Sequence, residues 1–135
     1  MQPVTPYLTV KGAAQAIQFY QSAFGATENL RMPADDGKRL MHASLTINGG
    51  TVMLSDEIPE HGGPAAPTRE RPAPVAVAIA LTKPADVDAT YRRAVDAGAK
   101  GTMEPADMFW GDRFAMLLDP FGHRWMLNAP LPKQS

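Results

Sequence analysis

The sequence contains no cysteine, so disulfide bonds and thiolate chemistry are excluded in this chain of 135 residues. It also has no excess of charge of either sign, because 13 Lys and Arg side chains are balanced by 14 Asp and Glu. A protein that binds nucleic acid needs a basic surface to meet the phosphates. We therefore expect no nucleic-acid partner.

Long apolar runs are missing as well. No stretch approaches the ~20 apolar residues that a membrane-spanning helix needs, and residues 1–6 lack the charged start and apolar centre of a signal peptide. There is no glycine-rich phosphate loop, so no nucleotide-type cofactor is indicated. Together these absences predict a cytoplasmic protein with no membrane contact and no cofactor.

The two halves of the chain match when one is shifted along the other. Leu8 then aligns with Leu81, Gly25 with Gly98, and Met53 with Met126. Such self-similarity indicates a repeated folding unit. We predict a single domain over 1–135, made of two modules at about 3–56 and 75–129, joined by a Pro- and Gly-rich linker at 57–74.

Each half contains the same order of predicted elements. Alternating residues predict a first strand, and the helix that follows has Ala13, Ile17, Tyr20 and Phe24 on one face and ends at Gly25. The second half repeats this order, and segments 27–39 and 100–112 each have room for a further short strand. The other predicted elements are strands 4–10, 40–47, 51–55, 75–81, 113–118 and 124–128 and a second helix, 84–98.

Several stretches of sequence together resemble a known superfamily. They are Tyr7-Leu8-Thr9-Val10, Ala16-Ile17-Gln18-Phe19-Tyr20, His42-Ala43, Met53-Leu54-Ser55-Asp56, Trp110-Gly111-Asp112-Arg113-Phe114 and Asp119-Pro120-Phe121-Gly122-His123-Arg124-Trp125. In this order they are similar to the glyoxalase, bleomycin-resistance and dioxygenase (vicinal oxygen chelate) superfamily. The His42 and Met53 segments resemble its PhnB-like branch in particular.

The resemblance implies an α+β fold of two βαβββ modules whose sheets form an open barrel-like cavity, often completed in a homodimer. Members of this superfamily include lyases, isomerases, ring-cleaving dioxygenases, epoxide-opening transferases and proteins that sequester antibiotics. One fold therefore supports many activities, so the resemblance leaves the question of catalysis open.

Many members hold a divalent metal ion on the first and last strands of each module. The matching positions in this chain are Thr5, Met53, Ala78 and Met126. Catalytic zinc, nickel or iron needs imidazole or carboxylate donors, and this set offers none. We therefore expect no bound metal.

Strand alternation predicts which side chains line the cavity. On three strands, 40–47, 113–118 and 124–128, we expect His42, Arg113, Ala115 and Leu117 to face it, and Met41, Phe114, Met116 and Trp125 to face the helices. Trp110 precedes one of these strands and could form a lid. The candidate ligand-binding residues are Tyr7, Thr9, His42, Ser44, Met53, Ser55, Trp110, Arg113 and Met126.

His42 is the candidate for a catalytic role, because an imidazole can act as a general base near neutral pH. The alternative is a histidine that only forms hydrogen bonds to Ser44, Thr51 or a neighbouring strand. His123 follows a tight turn, where we expect it to be exposed. The leading hypothesis is a metal-free homodimer that binds a small organic molecule. A lyase or isomerase with His42 as base, and a protein-interaction module without a ligand, remain open alternatives.

Overall fold

A computed structural model describes residues 2–133 and shows two copies of a β-α-β-β-β unit. The first unit contains β1 (Tyr7–Val10), α1 (Ala13–Phe24), β2 (Thr27–Pro33), β3 (Leu40–Ile47) and β4 (Gly50–Asp56). The second unit contains β5 (Ala76–Ala80), α2 (Pro84–Ala97), β6 (Lys100–Asp107), β7 (Asp112–Leu118) and β8 (Arg124–Pro130). A short 3₁₀ helix (Pro59–His61) lies between them.

The strand order is the same in both units, which confirms the predicted repeat. The first sheet has the order β1-β4-β3-β2 and the second has the order β5-β8-β7-β6. The segments that the sequence left as possible short strands provide β2 and β6 at the outer edges. The expected α+β fold of two βαβββ modules is therefore confirmed, and within one chain the two sheets are not closed into a barrel.

At the start of helix α1, the first free backbone amides donate hydrogen bonds to a buried carboxylate. Oδ1 of Asp56 accepts hydrogen bonds from the amides of Gly12 and Ala13, and Oδ2 accepts one from the amide of Leu40. A negative charge at a helix N-terminus also interacts favourably with the helix dipole. Asp56 thus ties the start of α1 to strands β3 and β4.

The modules are joined through a second buried carboxylate, Asp119, in the turn before β8. Its Oδ2 accepts hydrogen bonds from the Tyr20 hydroxyl at 2.5 Å and from the Trp125 indole at 2.9 Å. Its Oδ1 accepts hydrogen bonds from the backbone amides of Phe121 and His123. Since Tyr20 lies on α1, this network fixes the first helix against the last strand of the other module.

The linker is folded against the same turn. The amide of Ala73 donates to the carbonyl of Gly122 at 2.8 Å. A side chain at Gly122 would place its Cβ only 2.7 Å from the backbone nitrogen of Thr68, and the residue has a φ of +89°. Only glycine fits this left-handed conformation and close approach without strain.

Each sheet has one buried face, packed against the helices, and one accessible face. In β3, Ala43, Leu45 and Ile47 are buried, as the sequence predicted. Met41 was predicted to face the helices as well, but 39% of it is exposed. The cause is a register shift in the β2–β3 ladder, where Met32 pairs with His42 and Pro33 with Leu40, so that Met41 is bypassed.

The predicted orientation of β7 is wrong. Ala115 and Leu117 were expected on the cavity side, yet they are buried against the helices. They lie opposite Leu127 and Trp125 on β8, and residues directly opposite in an antiparallel pair share a face. Trp125 is fully buried, as predicted. Its position therefore sets the orientation of its neighbours on β7.

Candidate functional site

Five of the predicted site residues lie together on the accessible face of the first sheet. Tyr7 is the register partner of Met53, and Met53 is that of Ser44. One step along, Thr9 lies beside Ser55. Because their neighbours in sequence form the buried face, these side chains project from the other side of the sheet.

His42 joins this group through a direct contact with Tyr7. The Tyr7 hydroxyl and His42 Nδ1 are 2.8 Å apart, and the two rings are stacked with centroids 5.5 Å apart and planes 29° from parallel. Tyr7 is on β1 and His42 is on β3, with β4 between them. The tyrosine side chain therefore reaches across β4 to meet the imidazole.

Two apolar side chains of β2 border this pair and were not identified from the sequence. Leu30 is the register partner of Ser44, and Met32 is that of His42. Their exposed fractions are 46% and 48%. No sequence pattern could place them here, because the segment containing them was only a possible strand. We refer to Tyr7, Thr9, Leu30, Met32, His42, Ser44, Met53 and Ser55 as the Tyr7–His42 face.

The Tyr7–His42 face consists of neutral side chains and one imidazole. In the part of the chain that the structure describes, the hydrogen-bond partner of His42 is a phenol and not a carboxylate. Asp56 on the adjacent strand lies on the buried side, where backbone amides occupy both of its oxygens. Arg31 and Glu28 on β2 form an ion pair at 2.8 Å, and their register partners are the buried Ala43 and Leu45.

The accessible face of the second sheet has a different character. Met126 lies between Ala78 on β5 and Met116 on β7, and Phe114 lies opposite Asn128. Trp110 extends this row, since its ring packs edge-to-face with that of Phe114 at a centroid distance of 5.6 Å. Phe114 and Met116 were assigned to the helix side from the sequence, and the observed register places them on this accessible face instead.

Arg113 lies apart from the other candidate residues. Its guanidinium forms ion pairs at 3.0 Å with Asp88 on α2 and at 3.0 Å with Asp107 on β6. The hydrogen bonds that Arg113 donates, to Asp88 first and then to Asp107, raise its pKa above the ordinary value. The expectation that Arg113 faces the cavity is therefore wrong, because the side chain is turned toward α2.

The four positions that match the superfamily's metal ligands fall into two pairs. On the first sheet, Met53 lies beside Tyr7, and Tyr7 follows Thr5 by two residues. On the second sheet, Ala78 lies beside Met126. A methyl group, a hydroxyl and two thioethers do not fit a hard or borderline divalent cation. Within residues 2–133, no group of three or more His, Asp or Glu side chains is arranged to hold a metal ion.

A crevice of about 340 Å³ lies where the two modules meet. Pro6 and Thr51 line it from the first module, and Ala78 and Trp125 line it from the second. At the two ends of this junction, the side-chain amide of Asn48 donates to the carbonyl of Ala80, and Nε2 of His123 lies 2.8 Å from the carbonyl of Thr9. The crevice does not include His42 or Met53.

His123 is thus part of the module junction and not an exposed residue. It retains only 8% of its accessible surface, which corrects the prediction made from its place after a turn. His61 lies in the 3₁₀ helix of the linker and is exposed. His42 is the histidine that the structure places on an accessible sheet face.

Comparison with protein families identifies a match along almost the whole chain. The profile of the "Glyoxalase/Bleomycin resistance protein/Dioxygenase superfamily" matches residues 2–127. An uncharacterized protein of Mycobacterium bovis, Mb0911c, is 45% identical over 130 residues, which cover 95% of this chain and 83% of the relative.

Solved structures show the same fold. Protein PA1353 from Pseudomonas aeruginosa superposes with a TM-score of 0.77 at 24% identity. The superposition covers 98% of this chain and 100% of the other. A PhnB protein from Bacillus cereus superposes with a TM-score of 0.70 at 21% identity, covering 97% of this chain and 100% of the other. Among the described residues, neither helix has the length and apolar character needed to cross a membrane.

Proposed function

Because the chain belongs to the glyoxalase/bleomycin resistance protein/dioxygenase superfamily, we propose that it binds a small organic molecule on the Tyr7–His42 face. The observation that carries this proposal is the accessible pair of stacked rings, Tyr7 and His42, with Met53 and Met32 beside it. Ligand sites combine apolar and aromatic surface with a few polar groups that fix orientation. This face has that composition.

The proposed binding does not use a catalytic metal. The side chains at the four matching positions carry no imidazole or carboxylate, so the Lewis-acid chemistry of the metal-dependent members has no support from these donors. The ligand would instead contact thioether, hydroxyl and aromatic groups. Methionine side chains adapt to different ligand shapes because they are flexible and polarizable.

We also propose that two chains form a homodimer that closes the site. In one chain the Tyr7–His42 face is open, and 51% of Tyr7 is exposed. The second sheet presents Trp110, Phe114 and Met126 on another open face, and the exposed fraction of Phe109 in the adjacent turn is 96%. Packing the second sheet of one copy over the first sheet of another would enclose a ligand and cover these apolar groups.

A role in the cytoplasm accompanies this proposal. The chain has no cysteine and therefore no disulfide bond, which suits a reducing compartment. The ligand would be a molecule of the cell interior, present with the protein when the cells are broken.

Native mass spectrometry of the protein purified from its own cells tests the proposal. We expect a dimer that carries a co-purified molecule, and we expect His42→Ala to lose most of that molecule. The matched control is His61→Ala, which changes an exposed histidine of the linker and should keep the ligand. Equal occupancy in both variants, or a monomer free of ligand under every condition, would count against the proposed site.

A further inference from the structure

The hydrogen bond between Tyr7 and His42 can run in either of two directions. If the phenol donates to Nδ1, the imidazole carries its proton on Nε2 and offers an N–H donor to a ligand. If Nδ1–H donates to the phenol oxygen, Nε2 is left as a basic lone pair. The 2.8 Å separation between the two atoms allows both arrangements. The direction therefore decides which group a ligand meets.

Acid–base chemistry favours the phenol as donor. A phenol O–H is a stronger acid than the N–H of a neutral imidazole, and the unprotonated ring nitrogen is a stronger base than a phenol oxygen. Within the described residues, Nδ1 of His42 is the hydrogen-bond partner of the Tyr7 hydroxyl, so this difference in acidity and basicity decides the direction.

The Tyr7–His42 face provides no carboxylate that would stabilise an imidazolium at His42. A general base is usually oriented by a third group, most often a carboxylate that stabilises the imidazolium. The nearest acidic side chain on the adjacent strand, Asp56, is turned to the buried side and is bonded to the amides of Gly12 and Leu40. A proton on Nδ1 would also force Tyr7 to change from donor to acceptor.

We infer that Tyr7 is a positioning residue that holds His42 in the tautomer protonated at Nε2, so that the face recognises a hydrogen-bond acceptor. A neutral molecule with a carbonyl group is the ligand class that fits, because the face has no charged side chain to pair with an ion. The ligand class rests on the proposed function. The tautomer is a property of the free protein and can be measured without any ligand.

Nitrogen NMR of protein labelled with ¹⁵N-histidine tests the tautomer directly. Above the titration range of histidine, long-range ¹H–¹⁵N spectra distinguish a protonated ring nitrogen from an unprotonated one. His123 is an internal reference, because its Nε2 faces the carbonyl of Thr9, which can only accept. We expect His42 to show a protonated Nε2 and a hydrogen-bonded Nδ1. A spectrum with the proton on Nδ1 would overturn the inference.

Tyr7→Phe separates positioning from packing, since it removes the hydroxyl and keeps the ring. We expect the Nδ1 resonance of His42 to shift to the position of a ring nitrogen without a hydrogen bond. Tyr91→Phe, a matched change on α2, should leave the His42 resonances in place. Unchanged His42 resonances in Tyr7→Phe would show that Tyr7 does not act through this bond.

Acetophenone and toluene are suitable probes of the ligand class, since they share a ring and differ in a carbonyl. We expect both to shift the methyl resonance of Met53, and only acetophenone to shift His42 Nε2–H strongly. A Met53 response to acetophenone without a His42 response would contradict recognition of an acceptor. No response at Met53 would count against the proposed binding face, whereas the tautomer would still be decided by the spectrum of the free protein.

Discussion

The Tyr20 hydroxyl donates a 2.5 Å hydrogen bond to Asp119, which links a helix of the first module to the last turn of the second. Both residues are fully buried, and the Trp125 indole donates to the same carboxylate oxygen. A buried carboxylate is tolerated only where hydrogen bonds replace the water it has lost. This contact therefore holds the two sheets in a fixed relation.

Replacing Tyr20 with Phe should destabilise the protein substantially. A hydrogen bond to a charged group contributes roughly 1.5–3 kcal/mol, and the substitution leaves the buried Asp119 with one donor fewer. Denaturant unfolding of Tyr20→Phe should show a loss of this size. Tyr91→Phe on α2 is the control and should lose less. Equal stability of the Tyr20 variant and the wild type would mean that this bond does not join the modules.

The same tyrosine predicts a loss of stability at alkaline pH. Burial, followed by the negative charge of Asp119, raises the pKa of Tyr20 well above its ordinary value of 10.0. Above pH 10 the unfolded chain can release this proton while the folded chain keeps it, so the free energy of unfolding falls as the pH rises. Below that pH the contribution is fully present. The free energy of unfolding should be measured between pH 9 and pH 11, ~1 unit on either side of the ordinary tyrosine pKa. It should fall less steeply with pH for Tyr20→Phe than for the wild type.

An acidic titration tests the contact between the linker and the segment before β3. Arg39 forms a 2.5 Å ion pair with Glu60, and this hydrogen bond lowers the pKa of Glu60 from 4.5 to about 2. The stabilising effect is present above pH 4.5 and is lost as the pH falls through about 2. Carboxyl NMR should detect the low pKa, and Arg39→Gln should return it toward the ordinary value. A Glu60 that titrates normally in the wild type would contradict this contact.

Addition of zinc provides a test of the metal-free proposal. A metal that binds the folded state at 100 times its Kd would stabilise it by about 2.7 kcal/mol. We expect no increase in Tm with zinc, nickel or manganese, because Thr5, Met53, Ala78 and Met126 provide no suitable donors. Introducing carboxylate donors at two of these positions, with Met53→Glu and Met126→Glu, gives a positive comparison. A rise in Tm of the wild-type protein would mean that other residues hold a metal.

The fold was predictable because its signals are local. Alternation gave the strands, the spacing of Ala13, Ile17 and Tyr20 gave α1, and the aligned halves gave the repeat. Orientation on β7 was predicted wrongly because it depends on which residue lies opposite Trp125, and this register is a tertiary property. The orientation of Met41 likewise differs from the prediction, because the pairing of β2 with β3 bypasses this residue.

The candidate site was predictable only in part. Tyr7 and His42 were each assigned to the same face, but their contact spans an intervening strand, and no sequence spacing reveals such a diagonal pair. Leu30 and Met32 were missed because the segment that forms β2 was only a possible strand, and its register with β3 is irregular. Arg113 illustrates the opposite error, since its ion-pair partner Asp88 lies on α2 and could not be identified from the strand pattern.

The electron density of crystals of the untreated protein, purified from its own cells, tests the central proposal most directly. We predict density for a co-purified organic molecule over Tyr7, His42 and Met53, covered by a second copy of the chain, with an acceptor atom within hydrogen-bond distance of His42 Nε2. A bare Tyr7–His42 face in a well-ordered dimer, or a ligand bound only in the crevice between Thr51 and Ala78, would contradict it.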